Sequence, residues 1–369
     1  MTVQPTIFKD LIGQDRAARM LAAAVAQGTP SHAYLFHGPR GAGKFAAALR
    51  LAAALCCEQG GCGECPSCLK AARGVHPDIE VIQPVGAFIT VEQVREINRN
   101  LNLRPHESRA RVFILRGASS FNSESANAFL KSLEEPPTFV YFLLLAGRVD
   151  GTLATIVSRC QPVRFAPVPA PAIEAFLLEH YQVSPVVAQA YARVCRGDLE
   201  LAKALCIDPD LPRRRQSYLQ IGENLSRGGW EGGAGQMAAE VLAAAAEAGD
   251  AAGQTEDEAA PEGFLAAPKK RREQDAHRRA GQAQRRELNL ALDFLESWFR
   301  DMMAVAAGAG DTILNRDYEL ELENQALPSR LDNYRRALEV IEAARSKLSY
   351  NVELELVLQA MFHKLQEVL

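Results

Sequence analysis

The segment Gly38 to Phe45, which reads GPRGAGKF, constrains this chain more than any other feature. It follows the short apolar run AYLFH and precedes an alanine-rich run of helical character. Glycines between a strand and a helix let backbone amides surround a phosphate at the helix N-terminus, and a lysine at this place can reach the terminal phosphates. The segment therefore predicts a phosphate-binding loop, with these candidate ligands of a nucleotide: Gly38, Gly41, Gly43 and Lys44.

Two parts that nucleotide hydrolysis requires are missing. The residue after the lysine of such a loop is normally Ser or Thr, whose hydroxyl binds Mg²⁺, but Phe45 offers only a ring. The strand VFIL should be followed by carboxylates that hold the metal and orient the attacking water, yet it is followed by Arg116, Gly117, Ala118 and Ser119. We therefore expect no Mg²⁺ site and no productive hydrolysis. Two interpretations stay open: the loop is a structural remnant, or it binds ATP or ADP without magnesium.

Strand-like and helical segments alternate along the first part of the chain. The runs RVFILR and VYFLLLA are continuous apolar stretches of strand length, which is typical of parallel strands covered by helices on both faces. Thr90, with Gln93 three residues later, forms the capping-box pattern that begins a helix. These patterns predict an α/β domain with a doubly wound parallel sheet over residues 1–165.

The remaining residues show helical patterns only. A chain of 369 residues exceeds what one hydrophobic core usually supports, so further domains are expected. A connector rich in proline, from Pro162 to Pro171, is followed by a predicted small helical lid over 166–208. A helical domain is predicted over 209–369. Its segment from about 228 to 286 is rich in Gly, Ala and Glu and ends in basic runs, so we expect a mobile insert in which Lys269 to Arg272 are disordered and solvated.

The charge balance argues against a general attraction to nucleic acid, because the formal net charge is -4. A local DNA-binding patch is an alternative, but a solvated helix face is the favoured interpretation of its candidate residues, which are Arg95, Arg99, Arg104, Arg109 and Arg111. The N-terminus lacks the pattern of a secretory signal, and no apolar run reaches the length of a membrane span. We expect a cytoplasmic protein.

Five of the eight cysteines lie between Cys56 and Cys68. Four of them have the spacing C-x4-C-x2-C-x2-C, which is typical of a closed structural zinc site with four thiolate ligands: Cys57, Cys62, Cys65 and Cys68. Cys56 is the rival of Cys57 as the fourth ligand. Four free thiols without metal are the weaker alternative, because exposed cysteines are prone to oxidation.

Several motifs together resemble the clamp-loader subunits of bacterial DNA polymerase III, a branch of the AAA+ family. LIGQD near Gly13, HAYLFHGPRGAGK, the cysteine loop, HPD from His76, NAFLKSLEEPP from Asn127 and IVSRC from Ile156 follow the order of the family. They cover about the first 165 residues, and LSYNVELEL around Asn351 resembles the last collar helix more loosely. The resemblance implies an AAA+ module with a zinc loop, a lid and a C-terminal helical collar that joins subunits.

Two subunit types of that family share this layout. The motor type, gamma or tau, keeps the magnesium hydroxyl and the acidic pair, whereas the delta-prime type commonly loses them. The chain departs from the motor pattern at five positions, Phe45, Arg116, Gly117, Gly147 and Glu200. The resemblance therefore implies a delta-prime type, with an ATP-hydrolysing motor subunit as the alternative.

The resemblance also assigns a role to the SRC triplet. Its Ser158 and Arg159 match the family motif whose arginine reaches the γ-phosphate held by a neighbouring subunit. A guanidinium delivered in this way stabilises charge in the transition state of phosphoryl transfer. The implied partners are motor subunits and a delta subunit in a ring of five, and through them the sliding clamp and primed DNA.

Overall fold

The computed structural model describes residues 6–84, 88–147, 154–228, 233–254, 269–348 and 353–369. The chain divides into two compact units, Met1–Lys203 and Ala204–Leu369. Each unit is described here by itself.

The first unit is built on a parallel sheet of five strands: β1 (Ala33–His37), β2 (Ile79–Ile82), β3 (Arg111–Arg116), β4 (Val140–Ala146) and β5 (Gln161–Arg164). The order across the sheet is β2-β3-β4-β1-β5. Strand β1, which leads into the phosphate loop, pairs with β4 from Ala33 onward and with β5 from Tyr34 onward. It is therefore an interior strand, as its nearly complete burial requires.

Helices cover both faces of this sheet. Those of the first unit are α1 (Asp15–Ala26), α2 (Lys44–Cys56), α3 (Pro66–Ala72), α4 (Val91–Asn100), α5 (Ser123–Glu134), α6 (Ala154–Val157), α7 (Ala170–His180), α8 (Pro185–Val194) and α9 (Leu199–Ile207), the last of which continues beyond Lys203. Successive strand residues point to opposite faces. Phe36 accordingly belongs to one buried cluster and Leu35 to the other. The predicted doubly wound α/β fold is confirmed.

Helix α4 begins as its sequence predicts. The Thr90 hydroxyl accepts a hydrogen bond from the Gln93 amide at 3.3 Å, and the Gln93 side chain accepts one from the Thr90 amide at 3.1 Å. Each bond satisfies an amide that would lack a partner in the first turn of the helix.

The second unit is helical throughout its described residues apart from short connections. Its helices are α10 (Leu211–Ser226), α11 (Gly233–Gln254), α12 (Lys269–Ala306), α13 (Glu319–Gln325), α14 (Leu331–Leu348) and α15 (Leu354–Val368). Its core contains Trp298, fully buried, whose indole N–H donates to the Ser226 hydroxyl at 3.0 Å. The collar residues 349–352, around Asn351, lie outside the described residues.

Much of the segment 228–286, which the sequence predicted to be a mobile insert, is helical. Residues 229–232 and 255–268 lie outside the described residues, but the rest of the segment forms α11 and the first half of α12. Alanine is the best helix former, and the apolar side of α11 is buried at Met237, Val241 and Ala245. The helix containing Lys269 to Arg272 likewise replaces the expected disordered tail. Composition alone missed this, because small residues give a weak hydrophobic pattern.

Candidate functional site

The phosphate loop connects β1 to α2, as predicted, and its three glycines, Gly38, Gly41 and Gly43, have backbone angles that favour glycine. Gly43 precedes α2 with φ +82°. Gly38 has φ +146°, and a Cβ there would lie 2.2 Å from the Phe165 carbonyl oxygen. The chain after β5 therefore packs directly on the start of the loop.

Lys44 turns back onto the loop that carries it. Its Nζ donates to the carbonyl oxygens of Gly38 at 2.6 Å and of Pro39 at 2.5 Å. Burial lowers the pKa of Lys44, and the nearby Asp198 carboxylate opposes this effect. The ammonium group is thus held at the mouth of the loop, where a phosphate-binding lysine is needed.

Phe45 and Arg116, the two residues found where the sequence lacks magnesium ligands, contact each other. The Arg116 guanidinium lies over the Phe45 ring, with 4.4 Å between Cζ and the ring centroid. Leu115 is fully buried at the end of β3, whereas Arg116 is exposed and Gly117 turns the chain with φ +72°. A cation–π pair therefore stands where a hydroxyl and a carboxylate would be needed to hold Mg²⁺.

The start of helix α9 contacts the same loop. The Leu199 amide donates to the Gly41 carbonyl at 3.1 Å, and Asp198 Oδ1 caps the helix by accepting from the Leu201 amide at 2.9 Å. A Cβ on Gly41 would lie 1.7 Å from Asp198 Oδ1. Asp198 also lies 3.8 Å from Arg40 Nε. Sequence reasoning missed Asp198, although an aspartate before a helical run is itself a cap signal.

The structure also describes the two further positions at which the sequence departs from the motor pattern. Glu200, where a motor lid would carry arginine, is exposed and binds Lys203 at 3.0 Å on its own helix. Gly147 follows β4 and is exposed, and a Cβ there would meet nothing within 4 Å. Neither residue offers a cation or a hydrogen-bonding side chain to the loop.

Arg159 lies in the turn between α6 and β5, and its side chain is 34% exposed. Its Nε donates to Glu134 Oε1 at 2.9 Å, and Nη2 binds the same oxygen. Nη1 donates to the Thr155 carbonyl at 2.9 Å and to the Ser158 hydroxyl at 3.2 Å. The guanidinium is therefore held in one orientation at the surface. Glu134, in the LEEPP run, is a partner that sequence reasoning missed.

The structure brings together the four predicted cysteines, Cys57, Cys62, Cys65 and Cys68. Their sulfur atoms all lie within 4.8 Å of one another. The Sγ atoms of Cys57 and Cys62 are 3.7 Å apart, as are those of Cys57 and Cys65. Four sulfurs at the usual zinc distance form a tetrahedron with edges of about 3.8 Å, so a cluster of this size could hold a zinc ion.

The local fold explains how the cysteines meet. Cys57 directly follows α2. Cys65 directly precedes α3 and caps it, because its sulfur accepts from the Cys68 amide at 3.4 Å. Burial opposes ionisation of Cys57, but the amides of Cys62, Gly61 and Gln59 lower its pKa to about 6. Thiolates are the form that binds metal. Cys56 points elsewhere, because its Sγ contacts the Ala110 carbonyl at 3.6 Å and burial raises its pKa to about 11.

The five arginines of the alternative DNA-binding patch differ in their contacts and in their exposure. Arg109 donates to the Leu55 carbonyl at 2.9 Å, and Arg111 lies 3.7 Å from Glu80. Arg95, Arg99 and Arg104 are exposed. Two of the five arginines therefore already contact groups within their own domain.

Comparison with known proteins finds similarity to subunits of DNA polymerase III. Residues 13–169 match the family described as DNA polymerase III, delta subunit. The chain is 27% identical over 357 residues to DNA polymerase III subunit delta' of Bacillus subtilis, covering 96% of both chains. It is 35% identical over 179 residues to subunit gamma/tau of Mycobacterium tuberculosis, covering 47% of this chain but only 31% of that relative. A solved gamma subunit-related protein of Thermotoga maritima has a TM-score of 0.47 at 18% identity, covering 94% of this chain and 98% of that one.

Among the residues that the structure describes, no helix combines the length and the apolar character that crossing a bilayer requires.

Proposed function

Because the chain is a relative of the DNA polymerase III clamp-loader subunits, we propose that it is a delta-prime-type subunit that lacks ATPase activity of its own and supplies Arg159 to the ATP site of a neighbouring subunit. In this role it helps to load the sliding clamp on primed DNA. Its similarity to a delta' subunit over 96% of both chains supports this subunit type.

The observation that carries the non-hydrolysing part of the proposal is the contact of 4.4 Å between Arg116 and the Phe45 ring. Hydrolysis of ATP depends on a metal that neutralises the phosphates and on a carboxylate that orients water. A guanidinium at this place repels Mg²⁺, and Phe45 cannot bind it. The loop can still bind phosphate oxygens through Lys44, but it has no group that would activate the attacking water.

Arg159 supports the other half of the proposal. It is partly exposed and pre-oriented by Glu134, on a turn at the edge strand β5. An arginine at an edge can enter the site of an adjacent protein, where it would stabilise charge on a transferring phosphoryl group. Ser158 helps to fix its orientation, since its hydroxyl accepts from Arg159 and donates to the Thr155 carbonyl at 2.9 Å.

The cysteine cluster has a structural role in this proposal. Zinc bound by Cys57, Cys62, Cys65 and Cys68 would leave no open ligand position, so it would fix the fold of the loop rather than take part in a reaction. The partners of the chain are motor subunits and a delta subunit in a five-membered ring in the cytoplasm.

The test is ATP hydrolysis by the purified chain, and by a mixture of motor and delta subunits with clamp and primed DNA, with and without this chain. We expect no turnover by the chain alone and a strong stimulation when it joins the mixture. Substantial magnesium-dependent turnover by the chain alone would show that it is a motor subunit instead.

A further inference from the structure

The two ends of the cysteine segment are held by residues that lie outside it. Cys57 directly follows α2, whereas Cys65 directly precedes α3 and Cys68 lies within that helix. We call the last turn of α2 the first arm of the zinc site and the first turn of α3 the second arm. Arms that are fixed before the metal arrives favour binding, because less conformational entropy is then lost when the sulfur atoms surround it.

The second arm is held by a buried histidine. Ser67, between Cys65 and Cys68, has its hydroxyl oxygen 2.8 Å from His76 Nε2, and the His76 side chain is fully buried. His76 Nδ1 accepts a hydrogen bond from the Asp78 amide at 3.1 Å. Because that amide can only donate, we assign the proton of the neutral ring to Nε2, which then donates to Ser67. The histidine therefore orients the first turn of α3 and does not act as a base toward Ser67.

The first arm is held by an arginine. Arg109 Nε donates to the Leu55 carbonyl at 2.9 Å, and Nη2 donates to the Ala54 carbonyl at 3.4 Å. The last carbonyls of a helix have no partner within the helix, and a cation at this end also interacts favourably with the helix dipole. Leu55 lies two residues before Cys57. The arginine thus fixes the backbone that leads directly into this ligand.

Asp78 connects the two holding residues. It is buried, and its amide fixes the His76 ring. Its carboxylate accepts hydrogen bonds from the amides of Glu107 and Ser108, each at 3.0 Å, directly before Arg109. The strands β2 and β3, which pair in the sheet, begin three residues after His76 and two residues after Arg109. The edge of the sheet therefore provides a common base for both arms.

We propose that His76 and Arg109 are positioning residues of the zinc site, which hold the sulfur atoms of Cys57, Cys65 and Cys68 near their bound arrangement before the metal enters. Neither residue binds the metal itself. Outer groups that fix metal ligands typically change metal affinity by about 10- to 100-fold when they are removed. The inference rests on the proposed zinc site, and it adds that part of the affinity is set outside the cysteine segment.

The test measures the zinc dissociation constant of the full chain by competition with a chromophoric chelator. Ser67→Ala removes only the hydroxyl that His76 holds, and we expect about tenfold weaker binding. His76→Asn should weaken binding equally, because the shorter amide can accept from the Asp78 amide but does not reach Ser67. The double variant should show no further loss, since both changes remove the same bond. His76→Gln, whose amide nitrogen stands near the place of Nε2, should retain more affinity than His76→Asn.

The first arm is tested separately. Arg109→Ala should also weaken zinc binding about tenfold, and its effect should multiply with that of Ser67→Ala because the two changes release different arms. Arg104→Ala, at an exposed arginine five residues earlier, is the matched control and should leave zinc binding unchanged.

Two further controls separate positioning from general loss of stability. Gly43→Ala strains the opposite end of α2, so it should lower the temperature of unfolding without weakening zinc binding. Lys70→Gln removes a contact of 2.6 Å between α3 and Glu107 whose side chains are 43% and 30% exposed, so its effect should be smaller than that of Ser67→Ala. Bound Co²⁺ should keep the visible absorption of tetrahedral thiolate ligation in every variant, since no ligand is removed.

The proposal is overturned if Ser67→Ala, His76→Asn and Arg109→Ala bind zinc as tightly as the parent, or if Gly43→Ala weakens binding as much as they do. Altered Co²⁺ absorption in these variants would also overturn it, because the ligands themselves would have changed. A parent chain that binds no zinc would overturn both this inference and the structural zinc of the proposed function. A parent that binds zinc, with variants that bind it equally well, would overturn this inference alone.

Discussion

Glu134 accepts a hydrogen bond from Arg159 Nε at 2.9 Å, so the last residue of α5 holds the arginine of the SRC turn. The Glu134 side chain is 50% exposed, and the pair is therefore screened by water. Its contribution to stability is small. The pair instead orients the arginine, because a guanidinium that is already aligned loses less conformational freedom when it binds a phosphate.

Removal of the Arg159 guanidinium should abolish most of the stimulation of ATP hydrolysis in the assembled loader. We expect Arg159→Ala to lower ATP turnover on the order of 10³-fold, and Arg159→Lys to restore little, because lysine lacks the planar fork that binds two phosphate oxygens. Steady-state hydrolysis with all subunits present measures this. Arg16→Ala, at an exposed arginine on α1, is the control. Equal activity of Arg159→Ala and the control would refute the role of Arg159.

Glu134→Gln should also lower ATP turnover by the assembled loader, but less than Arg159→Ala does. Loss of one exposed ion pair is worth up to about 1 kcal/mol, which corresponds to about fivefold in turnover. If Glu134 acts by positioning Arg159, then Glu134→Gln should cause no further loss in a chain that already carries Arg159→Ala. Independent, multiplicative losses in the double variant would contradict the positioning role. The comparison uses the same hydrolysis assay.

Cysteine substitution should release zinc and loosen the first unit. Cys62→Ser removes one of four sulfur ligands, and we expect metal content to fall from about one zinc per chain to near zero. Inductively coupled plasma analysis measures the metal, and limited proteolysis measures the loosening. Cys206→Ser, outside the cluster, should change neither. Full zinc content in Cys62→Ser would exclude Cys62 as a ligand.

Ionisation of the Asp78 carboxyl group should make the free energy of unfolding depend on pH in the acid range. Burial alone would raise its pKa, but hydrogen bonds from the amides of His106, Glu107 and Ser108, at 2.5, 3.0 and 3.0 Å, lower the pKa below its usual value. A carboxyl with a lowered folded-state pKa stabilises the fold fully above its unfolded pKa. That stability is lost as pH falls through the folded value.

Asp78→Asn should therefore be less stable than the parent at pH 7 by about 2 kcal/mol, since bonds to a charged group are lost. The difference should shrink as pH falls below about 4, where the parent's carboxyl becomes neutral first in the unfolded and then in the folded chain. Urea unfolding at several pH values measures it. Exposed Asp10→Asn should show no such difference. A gap that stays constant down to pH 3 would indicate that the amide bonds do not depend on the charge.

Two glycines of the phosphate loop provide a matched pair. Gly41 and Gly43 have φ +66° and +82°, so alanine at either costs about 1–2 kcal/mol in backbone strain. A Cβ on Gly41 would also lie 2.6 Å from Asp198 Cα, whereas a Cβ on Gly43 would meet nothing within 4 Å. Gly41→Ala should therefore destabilise the first unit more than Gly43→Ala in thermal unfolding. Equal destabilisation would show that α9 does not rest on the loop.

Much of the fold follows from local patterns. The loop from Gly38 to Lys44 required only its glycines and its flanking strand and helix, and the zinc cluster required only short spacings along the chain. The buried strands were predictable because parallel strands that are covered on both faces have continuously apolar sequences. The capping box at Thr90 was equally local.

The contacts that the sequence did not reveal join residues distant in the chain. Glu134 meets Arg159, and Asp198 meets Gly41, only because the folded domain brings their segments together. Hydrophobic periodicity along the sequence does not predict contacts between residues so far apart in the chain. Helix α11 and the first half of α12 were missed for a different reason: their small or charged residues resemble those of a flexible linker. Only packing, such as burial of Met237, distinguishes a helix from a linker there.

The position of β1 between β4 and β5 determines when the phosphate loop can form. Strand β1 ends at His37, but its partners begin only at Val140 and Gln161. Contacts so distant in sequence slow folding, because the intervening chain must lose entropy before the pairing is made. On the ribosome, the pairing of β1 on this side must therefore await synthesis of β5. Arg159 lies two residues before that strand, so the segment that completes the sheet also carries the arginine turn.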